Sequence, residues 1–322
     1  MESILNEFEI IEHYFKQAYP ASKGNLKLGI GDDAAIINVS EDSELLVSMD
    51  TLVSGVHFFE DAAPEDIAYK ALSVNLSDMA AMGALPRWIS LSLTLPDNDT
   101  AWLQKFASSF NTLAEESSVV LIGGDLTRGP MSITVQIHGI APKGKSLRRS
   151  GANVGDLIYV TGALGAAAYA LKSKQDESLP QASKEEQQRH HRPEARVRVG
   201  LELRDIANSC IDISDGLLSD LGHILEASNV GAEIVLADIP YSGSLHKLDS
   251  NAAITLALTG GDDYELCFTL PRDLPDAVID EVQSICPITC IGKITSLDKG
   301  LVLLDEDGIK QIKGDAAYMH FS

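Results

Sequence analysis

The chain has 322 residues, a formal net charge of -22 and a pI near 4.6, so its field offers no attraction to nucleic acid or to an anionic membrane. Hydrophobic residues make up 45% and charged residues 22%, enough apolar material for real cores, and the length suits two α/β domains better than one. Met1 to Pro20 lacks a basic n-region and an unbroken apolar run, and no stretch approaches the roughly 18 apolar residues of a membrane span, so the cytoplasm is the expected location.

Ile4, Leu5, Phe8, Ile11 and Phe15 recur at helical spacing and predict an amphipathic helix on the first domain. Residues 45–50 read as a short buried strand with Asp50 at its tip. Pro64 opens a helix that runs through Ile67, Ala71, Leu72 and Met79 to a break at Gly83. Asp78 then lies near the helix C-terminus, where the dipole disfavours a carboxylate by roughly 0.3 to 1 kcal/mol and a cation is favoured. Residues 88–95 alternate as a half-buried strand, and Trp102, Phe106, Phe110 and Leu113 form a helical stripe. Residues 119–122 predict a strand ending in Gly123-Gly124-Asp125, and 131–140 alternate again.

Residues 142–155 are rich in Gly, Lys, Arg and Ser, which predicts a boundary between a domain of residues 1–150 and one of residues 151–322. The second opens with a strand at 157–160 and a small-residue helix at 164–171. Residues 172–192 are polar and read as a surface excursion, with His190 and His191 solvated. A strand at 206–213 and a helix from Gly216 set Asp212, Ser214 and Asp215 at a strand-to-helix turn. Further strands are expected at 233–237, 254–258, 265–270, 288–291 and 301–304, with a helix at 274–285. Cys210, Cys267, Cys286 and Cys290 lack paired C-x-x-C spacing and read as core thiols in a reducing compartment.

Aspartates recur in Gly31-Asp32-Asp33, Ser48-Met49-Asp50, Ser77-Asp78, Gly123-Gly124-Asp125, Asp212-Ile213-Ser214-Asp215 and Gly260-Gly261-Asp262-Asp263. One Asp beside Gly is ordinary turn chemistry. Six such sites suggest carboxylates converging on a divalent cation, because each close pair repels by roughly 4 kcal/mol at surface-like dielectric. Hard oxygen donors with little Cys or His nearby point to Mg²⁺. The sequence contains no G-x-x-x-x-G-K-[ST] loop and no protein-kinase signature, so phosphate would be handled by cations, Gly-rich backbone and a few basic residues. Arg128 and Arg149 are candidates for that last role or for surface ion pairs, and His57 for a contact or a satisfied loop histidine.

Several ordered blocks, Leu28 to Ala35, Asp50-Thr51-Leu52-Val53 with His57-Phe58, Lys70 to Ala84, Gly123 to Gly129, Asp212 to Leu217 and Gly260 to Leu266, closely resemble the thiamine-monophosphate kinase family. The likeness extends to Tyr318-Met319-His320-Phe321. It implies the two-domain fold of the aminoimidazole ribonucleotide synthetase superfamily: an N-terminal mixed α/β domain whose sheet forms the dimer, and a C-terminal α/β domain. It further implies a homodimer that uses ATP and several Mg²⁺ ions to phosphorylate thiamine monophosphate to thiamine diphosphate by direct in-line transfer. Carried over by position, Asp33, Ser48, Met49 through its backbone, Asp50, Asp78, Asp125, Asp212 and Asp215 resemble the metal ligands. Gly124, Asp125, Arg149 and Ser214 resemble ATP contacts, and His57, Asp262 and Tyr318 contacts to thiamine monophosphate. Two positions depart from the family pattern: Met49 replaces a small polar residue, and Asp262 replaces a Glu one methylene longer. Selenophosphate synthetases, by contrast, place a reactive Cys or selenocysteine near the N-terminus, and the first cysteine here is Cys210. A nucleotide-binding sensor on the same scaffold would bind MgATP without turnover.

Overall fold

The computed structural model describes residues 6–16, 25–241, 243–305 and 308–310, so Ile4, Leu5 and Tyr318 lie outside the described residues. Contacts divide the chain into two units, residues 1–79 with 84–144, and residues 80–83 with 145–322.

In the first unit, α1 (Glu7–Ile10) passes directly into a π-helical turn, Ile11–Lys16. The wider turn rotates the expected stripe, so that Ile10, Tyr14 and Phe15 are buried while Ile11 is only half-buried. The Tyr14 carbonyl accepts a 3.0 Å hydrogen bond from Asn111 Nδ2. Next come the short pair β1 (Leu26–Leu28) and β2 (Ile36–Ile37), then β3 (Ser43–Val53), α2 (Pro64–Ala81), β4 (Leu85–Leu95), α3 (Thr100–Glu116), β5 (Val120–Arg128) and β6 (Ser132–Pro142). The four long strands form a sheet in the order β3-β6-β4-β5. Its covered face buries Ile89, Leu91, Leu93 and Leu95 beside Ile133, Val135 and Ile137, as the two-residue period requires. Asp99 caps α3 by accepting the N–H groups of Ala101 and Trp102, and Trp102, Phe106 and Phe110 stack along the helix.

Two expectations change here. β3 is an eleven-residue edge strand rather than a short buried one, and Asp50 lies within it. Leu45, Val47 and Met49 face outward, while Ser48 and Asp50 point to the opposite side. The strand predicted to end in Gly123-Gly124-Asp125 instead continues through them to Arg128 as β5, parallel to β4 with a bulge at Ile89/Ser90. Gly124 permits this because a Cβ there would sit 1.9 Å from the Leu91 carbonyl oxygen.

The second unit carries β7 (Leu157–Thr161), α4 (Ala166–Gln175), α5 (Lys184–His191), α6 (Val197–Leu203), β8 (Ser209–Asp212), α7 (Leu217–Ser228), β9 (Gly231–Val235), α8 (Ser250–Thr259), β10 (Leu266–Leu270), α9 (Asp276–Ile285), β11 (Ile288–Thr295), β12 (Leu301–Asp305) and β13 (Gly308–Lys310). Seven strands order as β13-β12-β9-β11-β7-β10-β8. Every residue of β10 is buried, so the sheet is covered on both faces there. Cys210, Cys267 and Cys286 are buried and Cys290 is exposed, all four as free thiols.

Residues 254–258, expected as a strand, belong to α8, whose first turn is capped by the Asp249 carboxylate on the Asn251 N–H. A five-residue apolar run carries no period that separates the two structures. Residues 172–192 lie largely at the surface, as expected, but they fold as helix rather than as an unstructured excursion. α4 extends to Gln175, and α5 opens with a capping box in which Ser183 and Glu186 satisfy each other's backbone N–H. Glu186 and His190 are buried rather than solvated.

Candidate phosphate and metal sites

The β3 face and α2 bring three of the anticipated acidic-motif residues together within the first unit. Ser48 Oγ donates to Asp78 Oδ2 at 2.5 Å, and the Asp50 N–H donates to Asn75 Oδ1 at 3.2 Å. Asn75 is fully buried and is itself oriented by donating to the Ala71 carbonyl, so β3 and α2 are registered side by side. Asp78, in the last turn of α2, therefore meets a hydroxyl donor where the helix dipole alone would oppose its charge. The Met49 side chain lies on the other face of β3. His57 Nδ1 accepts the Val53 N–H at 3.0 Å and the His57 carbonyl accepts from buried Lys70, which holds the turn after β3.

A separate cavity of about 590 Å³ in the same unit joins Gly31-Asp32-Asp33 to Gly123-Gly124-Asp125. Asp33 and Asp125 are both exposed on it, and Lys16 from the π-helical turn reaches its rim while paired with Glu12 at 2.7 Å. A cavity of this size matches a nucleotide-scale ligand.

In the second unit, β8 ends at Asp212 and the turn Ile213-Ser214-Asp215-Gly216 leads into α7. Asp220 folds back to accept the N–H groups of Ser214 and Asp215 at 3.0 and 3.1 Å. Burial pushes the Asp220 carboxyl up to about 6; repulsion from Asp215 adds to this, while the two N–H donors and Arg149 oppose it. Arg149 is exposed, and its carbonyl accepts from Ser228. The loop 260–265 runs alongside. The Asp262 N–H donates to the Ser214 carbonyl and the Tyr264 N–H to the Ile213 carbonyl, both at 2.8 Å. Gly261 fits because a Cβ there would lie 2.4 Å from the Ser214 oxygen.

Behind that loop sits a network absent from the sequence reading. Buried Glu265 accepts from Thr161 at 2.5 Å, from Arg196 at 2.7 Å through two nitrogens, and from Arg189 at 2.8 Å. Burial alone would pull the Arg196 guanidinium down, but the hydrogen bonds and charge of Glu265 outweigh it and hold the pKa above its ordinary value. Asp263 is buried, accepts the Gly165 N–H at 2.8 Å, and is held well above the carboxylate range chiefly by burial. The Ser183-x-x-Glu186 capping signature was the sequence signal that this stretch folds.

Among the described residues, no three His, Cys, Asp or Glu side chains close on a common point that could hold a metal. The acidic motifs instead occupy the positions described: Ser48, Asp50 and Asp78 beside α2, Asp33 and Asp125 on the cavity, Asp212 and Asp215 in the second unit. Every donor in these sets is oxygen, the ligand chemistry Mg²⁺ takes.

The architecture and these sites define a class. Residues 31–141 match the family model of the AIR synthase related protein N-terminal domain, and residues 153–304 match that of its C-terminal domain. The chain is 47% identical over 323 residues to a thiamine-monophosphate kinase of Escherichia coli (strain K12), covering 98% of each chain. Its fold superposes with a TM-score of 0.85 on a thiamine-monophosphate kinase from Stenotrophomonas maltophilia K279a, at 42% identity, covering 95% of this chain and 98% of that one. A solved complex described as AaThiL with AMPPCP and TMP matches with a TM-score of 0.76 and 31% identity, over 91% and 92% of the two chains. The chain belongs to the thiamine-monophosphate kinase family.

Proposed function

We propose that this chain transfers the γ-phosphoryl group of ATP to the phosphate of thiamine monophosphate, releasing ADP and thiamine diphosphate. The observation that carries the reading is the 47% identity to a thiamine-monophosphate kinase along 98% of both chains. The likeness to a kinase solved with AMPPCP, an ATP analogue, and TMP supports both substrates.

The acceptor is already a phosphate, largely ionised at neutral pH, so the chain needs no residue to remove its proton. The nucleotide is assigned to Gly124, Asp125, Arg149 and Ser214. His57, Asp262 and Tyr318 are assigned to thiamine monophosphate. Asp33, Ser48, the Met49 backbone, Asp50, Asp78, Asp125, Asp212 and Asp215 are the oxygen donors for Mg²⁺. Such ions, when bound, neutralise phosphate charge that would otherwise meet a chain of net charge -22. The remaining work is positioning for in-line transfer, and the ties that orient Asp50, Asp78 and the Ser214 turn fix their backbone and side chains in advance.

A homodimer is supported by β3, which among the described residues lies at the edge of its sheet and exposes Leu45, Val47 and Met49 together on one face. No helix among the described residues is long and apolar enough to cross a membrane, which agrees with the proposed cytoplasmic location. The test is ADP release with ATP, Mg²⁺ and thiamine monophosphate, with thiamine diphosphate identified by chromatography. Turnover with thiamine monophosphate, lost on chelation, is expected. MgATP binding without turnover would overturn the reading in favour of a nucleotide sensor.

A further inference from the structure

The loop 260–265 is immobilised from three directions. Asp262 is tied through its backbone to Ser214, Asp263 to the N–H of Gly165, and Glu265 to Arg196, Arg189 and Thr161. What these ties do not aim is the Asp262 side chain. Asp262 has φ +67, in the left-handed region that Asp enters more readily than most non-glycine residues. Its Oδ1 accepts from the Tyr264 hydroxyl at 3.2 Å, and its Oδ2 lies 3.7 Å from Nδ1 of His190. His190 is 6% exposed and comes from the last turn of α5, whose neighbouring Arg189 is anchored on Glu265. One helix therefore grips the loop at Glu265 and faces its partly exposed carboxylate at Asp262.

We infer that His190 is a positioning residue for substrate selection: from α5 it orients the Asp262 carboxylate toward thiamine monophosphate. This rests on the assignment of Asp262 to that substrate. The contact is a charge-and-dipole contact at 3.7 Å, longer than a hydrogen bond, so it steers the carboxylate without removing it from the ligand. His190 acts on binding of the phosphate acceptor alone, because the nucleotide is assigned to other residues.

The experiment measures KM and kcat for both substrates in the full chain. The wild-type reaction with thiamine monophosphate is run first; absence of thiamine diphosphate there removes the functional reading itself, and this inference with it. With wild-type turnover in hand, His190→Leu, which keeps the buried volume, is expected to raise KM for thiamine monophosphate about tenfold, with KM for ATP and kcat within twofold. His190→Asn places an amide nitrogen at the Nδ1 position and is expected to recover most of that loss. Gln188→Ala, on the exposed side of the same helix, is expected to match wild type. In an Asp262→Ala background, His190→Leu is expected to add nothing, since its effect passes through Asp262. Equal KM values for the Leu and Asn variants, parallel rises in both KM values, or an additive effect on Asp262→Ala would overturn the inference. Should the Leu variant fail to fold, His190→Gln, which shifts the nitrogen away from the Nδ1 position, replaces it in the same comparison with Asn.

Discussion

The Ser48 hydroxyl donates to the Asp78 carboxylate at 2.5 Å, joining an edge strand to the last turn of the helix beside it. The hydroxyl offsets part of the penalty that a carboxylate meets at the negative end of α2, a penalty of about 0.3 to 1 kcal/mol when exposed. Asp78→Asn keeps an acceptor for Ser48 and removes the charge. Its stability is expected to stay within about 1 kcal/mol of wild type, while turnover falls at least about 100-fold, equivalent to about 2.7 kcal/mol of lost transition-state stabilisation. Thermal melting and the thiamine diphosphate assay measure the two effects on one preparation. Loss of the fold together with activity would give Asp78 a structural role instead.

Gly124 is predicted to be equally intolerant for a different reason. Its Cβ position is occupied by the backbone oxygen of Leu91, an atom that cannot rotate away, so Gly124→Ala must open the β4–β5 pairing. The cost is expected to be about 1 to 3 kcal/mol, the usual range for overpacking. ATP affinity is expected to fall as well, because the same strand segment lines the cavity that holds Asp33 and Asp125. Urea denaturation and calorimetric titration with MgATP check these outcomes. Gly123→Ala provides the contrast, since a Cβ there meets nothing within 4 Å.

The parts of this fold that were legible in the sequence are those where periodicity and burial agree. Leu91, Leu93 and Leu95 alternate and are buried, and Phe106 and Phe110 repeat at helical spacing and stack. β3 was misread because Leu45 and Val47 are apolar yet face outward, and hydrophobicity by itself does not distinguish a core from an unpartnered surface. α5 was missed for the opposite reason: Glu186 and Arg189 are held by capping and ion pairing, which a hydrophobic pattern does not register. The acidic blocks were visible as strings, but the second carboxylates that position them are set by tertiary contact. Nothing in the sequence placed Asp220 against Ser214 or Glu265 against Arg196.

The Glu265 to Arg196 pair yields a stability prediction. Both side chains are buried, and the pair is made through two nitrogens, so Glu265→Gln removes the buried carboxylate that faces the guanidinium and leaves Arg196 only the exposed Glu194 at 2.8 Å. Loss of one partner from such a pair is expected to destabilise by about 3 to 5 kcal/mol. Chemical denaturation of the second unit's transition measures it. A change below about 1 kcal/mol, the level of a surface pair, would mean that water reaches Arg196.

Asp263 sets a pH dependence of the opposite sign to the usual carboxylate. Its folded pKa lies well above the unfolded value near 3.8, so the native state holds a proton that the unfolded chain has lost. Stability from this group is complete below the unfolded pKa and is lost as pH rises toward the folded one, with a limiting slope of about 1.4 kcal/mol per pH unit. Asp263→Asn keeps an acceptor for the Gly165 N–H and removes the titration. The stability difference between variant and wild type is expected to shift in favour of the variant from pH 5 to pH 7, read from urea midpoints. A difference independent of pH would mean that Asp263 is ionised in the folded protein throughout.

The outer face of β3 makes the last prediction. Val47 is 52% exposed on an edge strand, between Leu45 and Met49 on the same side, so its side chain contributes little to the folded monomer. Val47→Glu is expected to change monomer stability by no more than about 0.5 kcal/mol, the range for surface substitutions. In an interface between two copies, the same carboxylate would be desolvated beside apolar neighbours and repelled by a chain already carrying -22. Light scattering is therefore expected to report a dimer for the wild type and a monomer for Val47→Glu at the same concentration. A dimer that survives the substitution would place the contact between copies on another face, and a monomeric wild type would leave this apolar stripe exposed in solution.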